Sequence, residues 1–292
     1  MNNTPELDWC LKQDDGSYFK IALAQISKKG LIFEKIIKHG FKLEPKVYQD
    51  MFDVVRWLQN NQTLYLRLLL NMFRRRNKNL FPSTLIHGDL RSENVLFPQT
   101  HFNEFMVYDF QCIKENNGMM DVAYHIGSSM SVKDRRLHER DLLIHYYNVM
   151  RQRGVTDLTF AEILLMYQLC HVWFVMVSVF GIGSTKHEKD KSKVHKKSAK
   201  VGIAFITRSN AVCKDWNVLA ALRIWSKKIH DDNTIDRLTR KEQIEILPNE
   251  FHDLLNRDDE CSPGIHSTSS SSSDEKNLVG LKSRRRNMCI IS

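Results

Sequence analysis

LIHGDLRSENVLF, residues 85–97, and MVYDFQ, residues 106–111, place acidic and amide side chains in gaps between short apolar runs. Apolar runs of this length, bounded by polar residues, are typical of small strands joined by loops. We therefore predict short strands at TLI, VLF and FMVYDF. The loops between them carry Asp89, Asn94 and Asp109, and we expect these three side chains to meet in one cleft.

The spacing of these polar residues suits phosphoryl transfer. That reaction needs a carboxylate to orient and deprotonate the attacking hydroxyl, and oxygen ligands for Mg²⁺ near the phosphates. Asp89 and Asn94 stand in the Asp-x4-Asn spacing of a kinase catalytic loop. Asp109 follows at the end of a predicted strand, where its carboxylate can reach the same cation. The pattern predicts a base and a magnesium site.

HGDLRSENVLF, VYDFQ and DVAYHIGSSM together resemble the aminoglycoside phosphotransferase/choline kinase superfamily, and within it the ecdysteroid kinase-like (CHK kinase-like) branch. The likeness covers about residues 80–230. It implies an α+β, predominantly α fold, a protein-kinase-like C-terminal lobe with a small β-hairpin region at the catalytic loop. It also implies Mg²⁺, ATP as co-substrate and a small-molecule alcohol as acceptor. By this resemblance Asp89 is the catalytic base, and Asn94 and Asp109 are the Mg²⁺ ligands.

The same resemblance assigns roles to three further residues. His87 corresponds to the structural histidine of the loop, packed near Asp109, and Asp121 to the aspartate that anchors the loop from below. Arg91 stands where a cation could stabilise the transferring phosphate, and the alternative for it is a surface salt bridge. Only twelve positions separate Asp109 from Asp121, which leaves no room for a long peptide-docking segment and favours a small acceptor.

The part of a kinase that covers the nucleotide is not recognisable in this sequence. Only 86 residues precede His87, and their glycines, Gly16, Gly30 and Gly40, form no cluster. No alternating strand leads to a lysine that could pair with a glutamate. The chain therefore resembles a C-terminal lobe without its N-terminal lobe. The alternative function is a non-catalytic pseudokinase, or a truncated fragment, that serves as a membrane-tethered binding module.

Helical patterns fill most of the remaining chain. Residues 43–75 are predicted to form two helices, and further helices are expected at 134–150, at 160–180 and at 198–229, the last broken near Arg208. Beyond residue 257 the composition becomes serine-rich. We therefore predict a folded domain over residues 1–257 and a disordered tail over residues 258–292.

Residues 163–183, ILLMYQLCHVWFVMVSVFGIG, carry no formal charge and are long enough to cross a bilayer. A helix that is apolar on all sides is either buried in a protein core or embedded in lipid. Both alternatives remain open for this segment at the level of the sequence, and an α-rich lobe would accommodate it as a core helix.

Composition and charge restrict the setting in which the chain works. The net charge of +9 comes partly from local basic runs. Neither a zinc finger nor an aromatic RNA-binding signature accompanies these runs, so we expect no nucleic acid partner. Six cysteines without CxxC pairs indicate neither a zinc site nor a disulfide framework. The polar start MNNTPELDW is unlike a secretory signal. These features predict a cytoplasmic protein.

The last four residues, CIIS, match the C-a-a-X pattern for prenylation of Cys289, and Ser292 at the end favours farnesyl. One lipid chain holds a protein on a membrane only weakly, so a second signal is needed. Lys282 and the three arginines at 284–286 provide a basic cluster for an anionic surface. We therefore expect attachment to the cytoplasmic face of a membrane through the tail.

Overall fold

Helices dominate the computed structural model, which describes residues 17–73, 82–98, 104–183, 196–230 and 235–256. All of these residues belong to the first of two compact units, Met1–Asp258. In chain order the helices are α1 (Ser17–Lys35), α2 (Gln49–Asn60), α3 (Gln62–Phe73), α4 (Met119–Ser129), α5 (Val132–Gln152), α6 (Phe160–Gly183), α7 (Lys196–Asp215), α8 (Val218–Ser226) and α9 (Arg240–Ile246).

Two antiparallel pairs of very short strands stand between α3 and α4. β1 (Thr84–Ile86) pairs antiparallel with β4 (Lys114–Asn116), and β2 (Val95–Leu96) pairs antiparallel with β3 (Met106–Val107). The pairing brings the loop after β1 and the loop after β3 side by side. The predicted strand TLI is present at full length as β1, VLF and FMVYDF are present in shortened form as β2 and β3, and β4 was not predicted. The fold class, α+β and predominantly α with a small β-hairpin region, is confirmed.

Helix α6 forms the centre of the helical part, with α1, α4, α7 and α8 packed around it. Among the described residues it is the one helix long and apolar enough to cross a membrane. However, 89% of its most apolar 18-residue window is buried inside the protein. Contact with other helices therefore accounts for its composition, which favours the core-helix alternative for residues 163–183.

The helices before the hairpins follow from the spacing of apolar residues. On α2 the side chains of Met51, Val54, Val55 and Leu58 are buried, which is the i, i+3, i+4, i+7 pattern of one helix face. The prediction of two helices within residues 43–75 is confirmed by α2 and α3.

The predicted break near Arg208 is wrong. Helix α7 continues to Asp215, and the chain turns at Asn217, whose φ of 45° lies in the left-handed region. The polar residues after Arg208 do not end the helix because they have tertiary roles. The side chain of Asn210, for example, accepts a hydrogen bond from the backbone N–H of Met51 at 3.0 Å. The predicted helices at 134–150 and 160–180 are confirmed by α5 and α6.

Candidate catalytic site

The loop after β1 is fixed from below by Asp121 in the first turn of α4. One carboxylate oxygen of Asp121 accepts from the backbone N–H of His87 at 2.6 Å, and the other accepts from that of Gly88 at 2.9 Å. Burial raises the pKa of Asp121, and the two N–H donors oppose that rise. Gly88 has φ of 82°, and a Cβ there would lie 2.3 Å from the carbonyl oxygen of Cys112. Only glycine fits this turn.

The imidazole of His87 lies between the two loops of the site. Its Nε2 is 2.9 Å from the carbonyl oxygen of Tyr108, and its Nδ1 accepts from the backbone N–H of Asp89 at 3.3 Å. Because a carbonyl can only accept, this pair of contacts assigns the proton to Nε2. The ring also packs on Phe110, with 4.9 Å between centroids. His87 therefore links the loop of Asp89 to the loop of Asp109.

The Asp89 carboxylate, half-buried, is surrounded by polar side chains. The Asn94 side-chain amide donates to the carbonyl oxygen of Asp89 at 2.8 Å and lies 3.2 Å from its Oδ2. The Arg91 Nε lies 3.5 Å from the same Oδ2. Arg91 therefore forms a salt bridge, which was the alternative role for it, and its partner is the candidate base Asp89. Tyr124 lies close enough that burial and the charge of Asp89 together raise the pKa of its hydroxyl.

Asp109 adopts an unusual backbone conformation just beyond β3. Its φ of 66° is left-handed, which is uncommon outside glycine and is often found at functional sites. Its side chain is exposed, and Gln111 Nε2 donates to its Oδ2 at 3.3 Å. The charges of Asp89 and Asp109 both act on the Cys112 thiol. Burial raises the pKa of that thiol, and both carboxylates raise it further.

Asn94 and Asp109 fit the ligand types that Mg²⁺ prefers. The amide nitrogen of Asn94 is directed to Asp89, so its oxygen is on the other arm of the planar group. Asp109 offers an exposed carboxylate. Over the described ranges, no three His, Cys, Asp or Glu side chains are grouped to hold a metal ion. A kinase-like site needs one carboxylate and one amide oxygen in addition to phosphate oxygens, and both are present.

The sequence did not lead us to predict two residues that lie near Asp89. Tyr124 follows Asp121 by three positions on α4, so helical spacing from the predicted anchor could have found it. Lys114 on β4 gave no such signal. Its side chain is buried, and its Nζ lies 4.4 Å from the centroid of the Trp173 ring. Burial lowers the pKa of Lys114 to about 8, against the opposing charges of Cys112, Asp121 and Asp89.

The predicted lipidation site, Cys289, and the tail of residues 258–292 lie outside the described residues.

One protein family matches the chain, whereas no curated protein and no solved structure does. The family DUF1679, described as "Uncharacterized oxidoreductase dhs-27", matches residues 17–217. That range spans more than half of the sequence and contains the whole candidate site, and the chain therefore belongs to the DUF1679 family.

Proposed function

We propose that the chain is a phosphotransferase-family protein that transfers the γ-phosphate of ATP to a hydroxyl of a small molecule with Mg²⁺. The observation that carries the proposal is the arrangement of Asp89. Its backbone is fixed by the loop that Asp121 anchors, and the amide of Asn94 reaches both its carbonyl and its carboxylate. The resemblance of HGDLRSENVLF, VYDFQ and DVAYHIGSSM to ecdysteroid kinase-like proteins supports the same conclusion.

In the proposed reaction Asp89 orients the acceptor hydroxyl and takes its proton as oxygen attacks phosphorus. Arg91, held beside Asp89, would stabilise the charge on the transferring group. Asn94 and Asp109 would hold Mg²⁺, which neutralises charge on the phosphates when it is bound. The left-handed backbone at Asp109 presents its carboxylate from the end of the hairpin.

The description of the DUF1679 family names an oxidoreductase, and a hydride-transferring enzyme of that kind would need a dinucleotide-binding domain. Such a domain uses a parallel sheet and a G-x-G-x-x-G turn at the start of a helix. The sequence contains no G-x-G-x-x-G stretch, and both sheets in the described part of the chain are antiparallel pairs. The described residues therefore support phosphoryl transfer better than hydride transfer.

The rival proposal is a pseudokinase that serves as a binding module, because the sequence has no recognisable phosphate-covering loop. The two are separated by incubating the full chain with Mg-ATP and a panel of alcohols, and measuring both ATP binding and phosphate transfer. We expect Asp89→Asn to lower kcat by about 10²–10⁴-fold. Asp141→Asn, an exposed carboxylate on α5, is the matched control and should leave kcat unchanged. A wild-type chain that neither binds nor consumes ATP would establish the pseudokinase.

The cellular location of the protein is the subject of a separate proposal. We propose that the protein is cytoplasmic and held reversibly on an anionic membrane by a prenyl group on Cys289 and the basic residues before it. Cys289→Ser should move the protein from the membrane fraction to the supernatant. Cys261→Ser, in the same predicted tail of residues 258–292, is the control and should not. A membrane fraction that is the same for wild type and Cys289→Ser would contradict the prenyl anchor.

A further inference from the structure

The exposed side chains that the structure describes on α1 lie on one side of the helix. Apart from one adjacent pair, their positions recur at steps of three or four residues, which is the spacing of a single helix face. They are Lys20, Ile21, Ala24, Lys28, Leu31 and Lys35. The opposite side, which includes Ile26 and Phe33, is fully buried, and α1 packs against α2 and α6. We call the six exposed residues the α1 face.

The charge of the α1 face is entirely positive. Helix α1 contains four lysines and one acidic residue, Glu34. The carboxylate of Glu34 is bound to Lys38 at 2.6 Å and to Arg56 at 3.3 Å. The three lysines of the α1 face form no ion pair within the described ranges of the chain. They extend over 15 residues, or about 22 Å of helix, and present a row of cations to an external partner.

Two large apolar side chains stand among these lysines. Ile21 is 65% exposed and Leu31 is 63% exposed, and they are about 15 Å apart along the helix. An apolar side chain that enters the boundary between lipid headgroups and acyl chains is removed from water, which is favourable. Lysines alone would suit many anionic partners, whereas lysines with apolar side chains between them suit a lipid surface.

The exposed side of α5 shows how the α1 face differs from another helix of the protein. Leu137 on α5 is 66% exposed, much like Leu31. However, Asp134 and Asp141 lie one turn before and one turn after Leu137, and both are exposed. These carboxylates would be repelled by an anionic membrane. The distinguishing property of the α1 face is therefore the combination of exposed apolar side chains with cations and no acid.

A nucleic acid is a poorer match for the α1 face than a bilayer. Proteins that bind single strands stack the bases on aromatic side chains or on arginine, and the α1 face has neither. Its cations instead follow one side of a helix, which a flat anionic surface can contact along its whole length.

We infer that the α1 face docks on an anionic lipid bilayer, with its three lysines against the headgroups and the side chains of Ile21 and Leu31 inserted between them. This contact belongs to the folded domain and does not depend on the proposed prenyl group on Cys289. It would set which side of the helical domain faces the membrane.

The test uses the full chain carrying Cys289→Ser as the reference, so that no prenyl group contributes, and measures sedimentation with vesicles. The reference chain should bind vesicles of phosphatidylcholine with phosphatidylserine, and it should not bind vesicles of phosphatidylcholine alone. The tail with its basic cluster is the same in every variant, so differences between variants report on the folded domain.

Replacing the three lysines of the α1 face by glutamine should weaken binding to the anionic vesicles by about a hundredfold. One lysine near an anionic membrane contributes about fivefold in affinity, and the three contributions multiply. The control removes the same charge from exposed lysines elsewhere, with Lys133→Gln, Lys227→Gln and Lys241→Gln together. At about 0.15 M salt, charges far from the membrane are screened, so the control should weaken binding by no more than about threefold.

The apolar contribution is tested by Ile21→Gln with Leu31→Gln, which should weaken vesicle binding by about tenfold because less apolar surface enters the bilayer. Leu137→Gln is the matched control, since it replaces a leucine of similar exposure on α5, and it should bind like the reference chain.

No binding of the reference chain to anionic vesicles would overturn the inference, as would equal binding by the reference and the α1 lysine variant. Equal weakening by the two lysine triplets would also overturn it, because net charge alone would then explain the binding. Heparin serves as a soluble polyanion for comparison. If the α1 lysine variant lost affinity for heparin and vesicles alike, while the variant at Ile21 and Leu31 bound vesicles like the reference, the partner would be another class of polyanion and the inference would fail.

Discussion

The Nε2 of His87 lies 2.9 Å from the carbonyl oxygen of Tyr108, and this contact joins the two loops that carry the candidate catalytic residues. The other ring nitrogen accepts from the backbone N–H of Asp89 at 3.3 Å. One side chain thus satisfies a main-chain acceptor on the hairpin and a main-chain donor on the loop after β1. Asp109 follows Tyr108 directly, so the position of its backbone depends on the same ring.

Replacing His87 by phenylalanine should lower the free energy of unfolding by about 1–3 kcal/mol, because one main-chain donor and one main-chain acceptor lose their partner. The aromatic contact with Phe110 is kept, so the change isolates the hydrogen bonds. The control is His138→Phe, which makes the same replacement at an exposed histidine of α5 and should cost less. Urea unfolding of both variants measures the difference, and a His87→Phe protein as stable as His138→Phe would contradict the linking role.

Two glycines with positive φ give a matched test of the turn before Asp89. Gly88 has φ of 82° and Gly154 has φ of 87°, so alanine meets a similar backbone penalty of about 1–2 kcal/mol at either position. At Gly88 the new Cβ would also lie 2.3 Å from the Cys112 carbonyl oxygen, whereas at Gly154 nothing lies within 4 Å. Gly88→Ala should therefore be clearly less stable than Gly154→Ala in thermal unfolding. Equal melting temperatures would show that the loop relaxes freely.

Local patterns were sufficient to predict the helices, since burial on one face of a helix leaves a periodic trace in the sequence. Helix α2 is an example, because Met51, Val54, Val55 and Leu58 are buried at helical spacing. The break at Asn217 was not predictable in this way. Polar residues around Arg208 have the composition of a turn, and only their contacts with α2 and α4 explain why the helix continues.

The candidate site also has one part that the sequence predicts and another part that depends on tertiary contacts. The spacing of Asp89, Asn94 and Asp109, together with the resemblance around Asp121, was enough to propose a cleft. The burial of Lys114 against Trp173 depends on a contact between β4 and α6 that no local pattern records. The hydrogen bond from Arg208 to the carbonyl oxygen of Ser128 likewise depends on a contact between α7 and α4 and not on the neighbours of Arg208 in sequence.

A buried ion pair between Arg135 and Glu139 on α5 gives a prediction about stability. Their side chains are 2.6 Å apart, and the hydroxyl of Tyr167 donates to the other oxygen of Glu139 at 2.6 Å. Arg135→Met should cost about 3–5 kcal/mol, because it leaves the Glu139 carboxylate buried without its cation. Adding Glu139→Leu should recover part of that loss. A double-mutant cycle by urea unfolding measures the coupling, and strictly additive effects would show that the two charges act independently.

The imidazole of His171 should make folding sensitive to acid. It lies in the middle of α6, fully buried, with its ring centroid 4.5 Å from that of Tyr167. Neither ring nitrogen has a hydrogen-bond partner among the residues that the structure describes. Burial, and then the positive charge of Arg135, lowers the pKa of His171 well below its usual value. The folded protein therefore keeps the ring neutral at a pH where the unfolded chain binds a proton.

The direction in which stability changes with pH follows from that difference in proton binding. Above about pH 6.5, the ordinary pKa of histidine, neither state is protonated, and the group contributes no pH dependence. As the pH falls below that value, the unfolded chain gains a proton that the folded protein excludes, so stability decreases. The slope from this one group is about 1.4 kcal/mol per pH unit until the folded pKa is reached.

His171→Phe removes the titration and keeps an aromatic ring against Tyr167. Urea unfolding between pH 7.5 and about pH 5 should show that wild type loses stability faster than the variant by about 1.4 kcal/mol per pH unit. The control is His138→Gln, which replaces an exposed histidine on α5 and should follow the wild-type curve. If His171→Phe and wild type gave parallel curves over this range, the ring of His171 would have to accept a proton in the folded protein, against its burial.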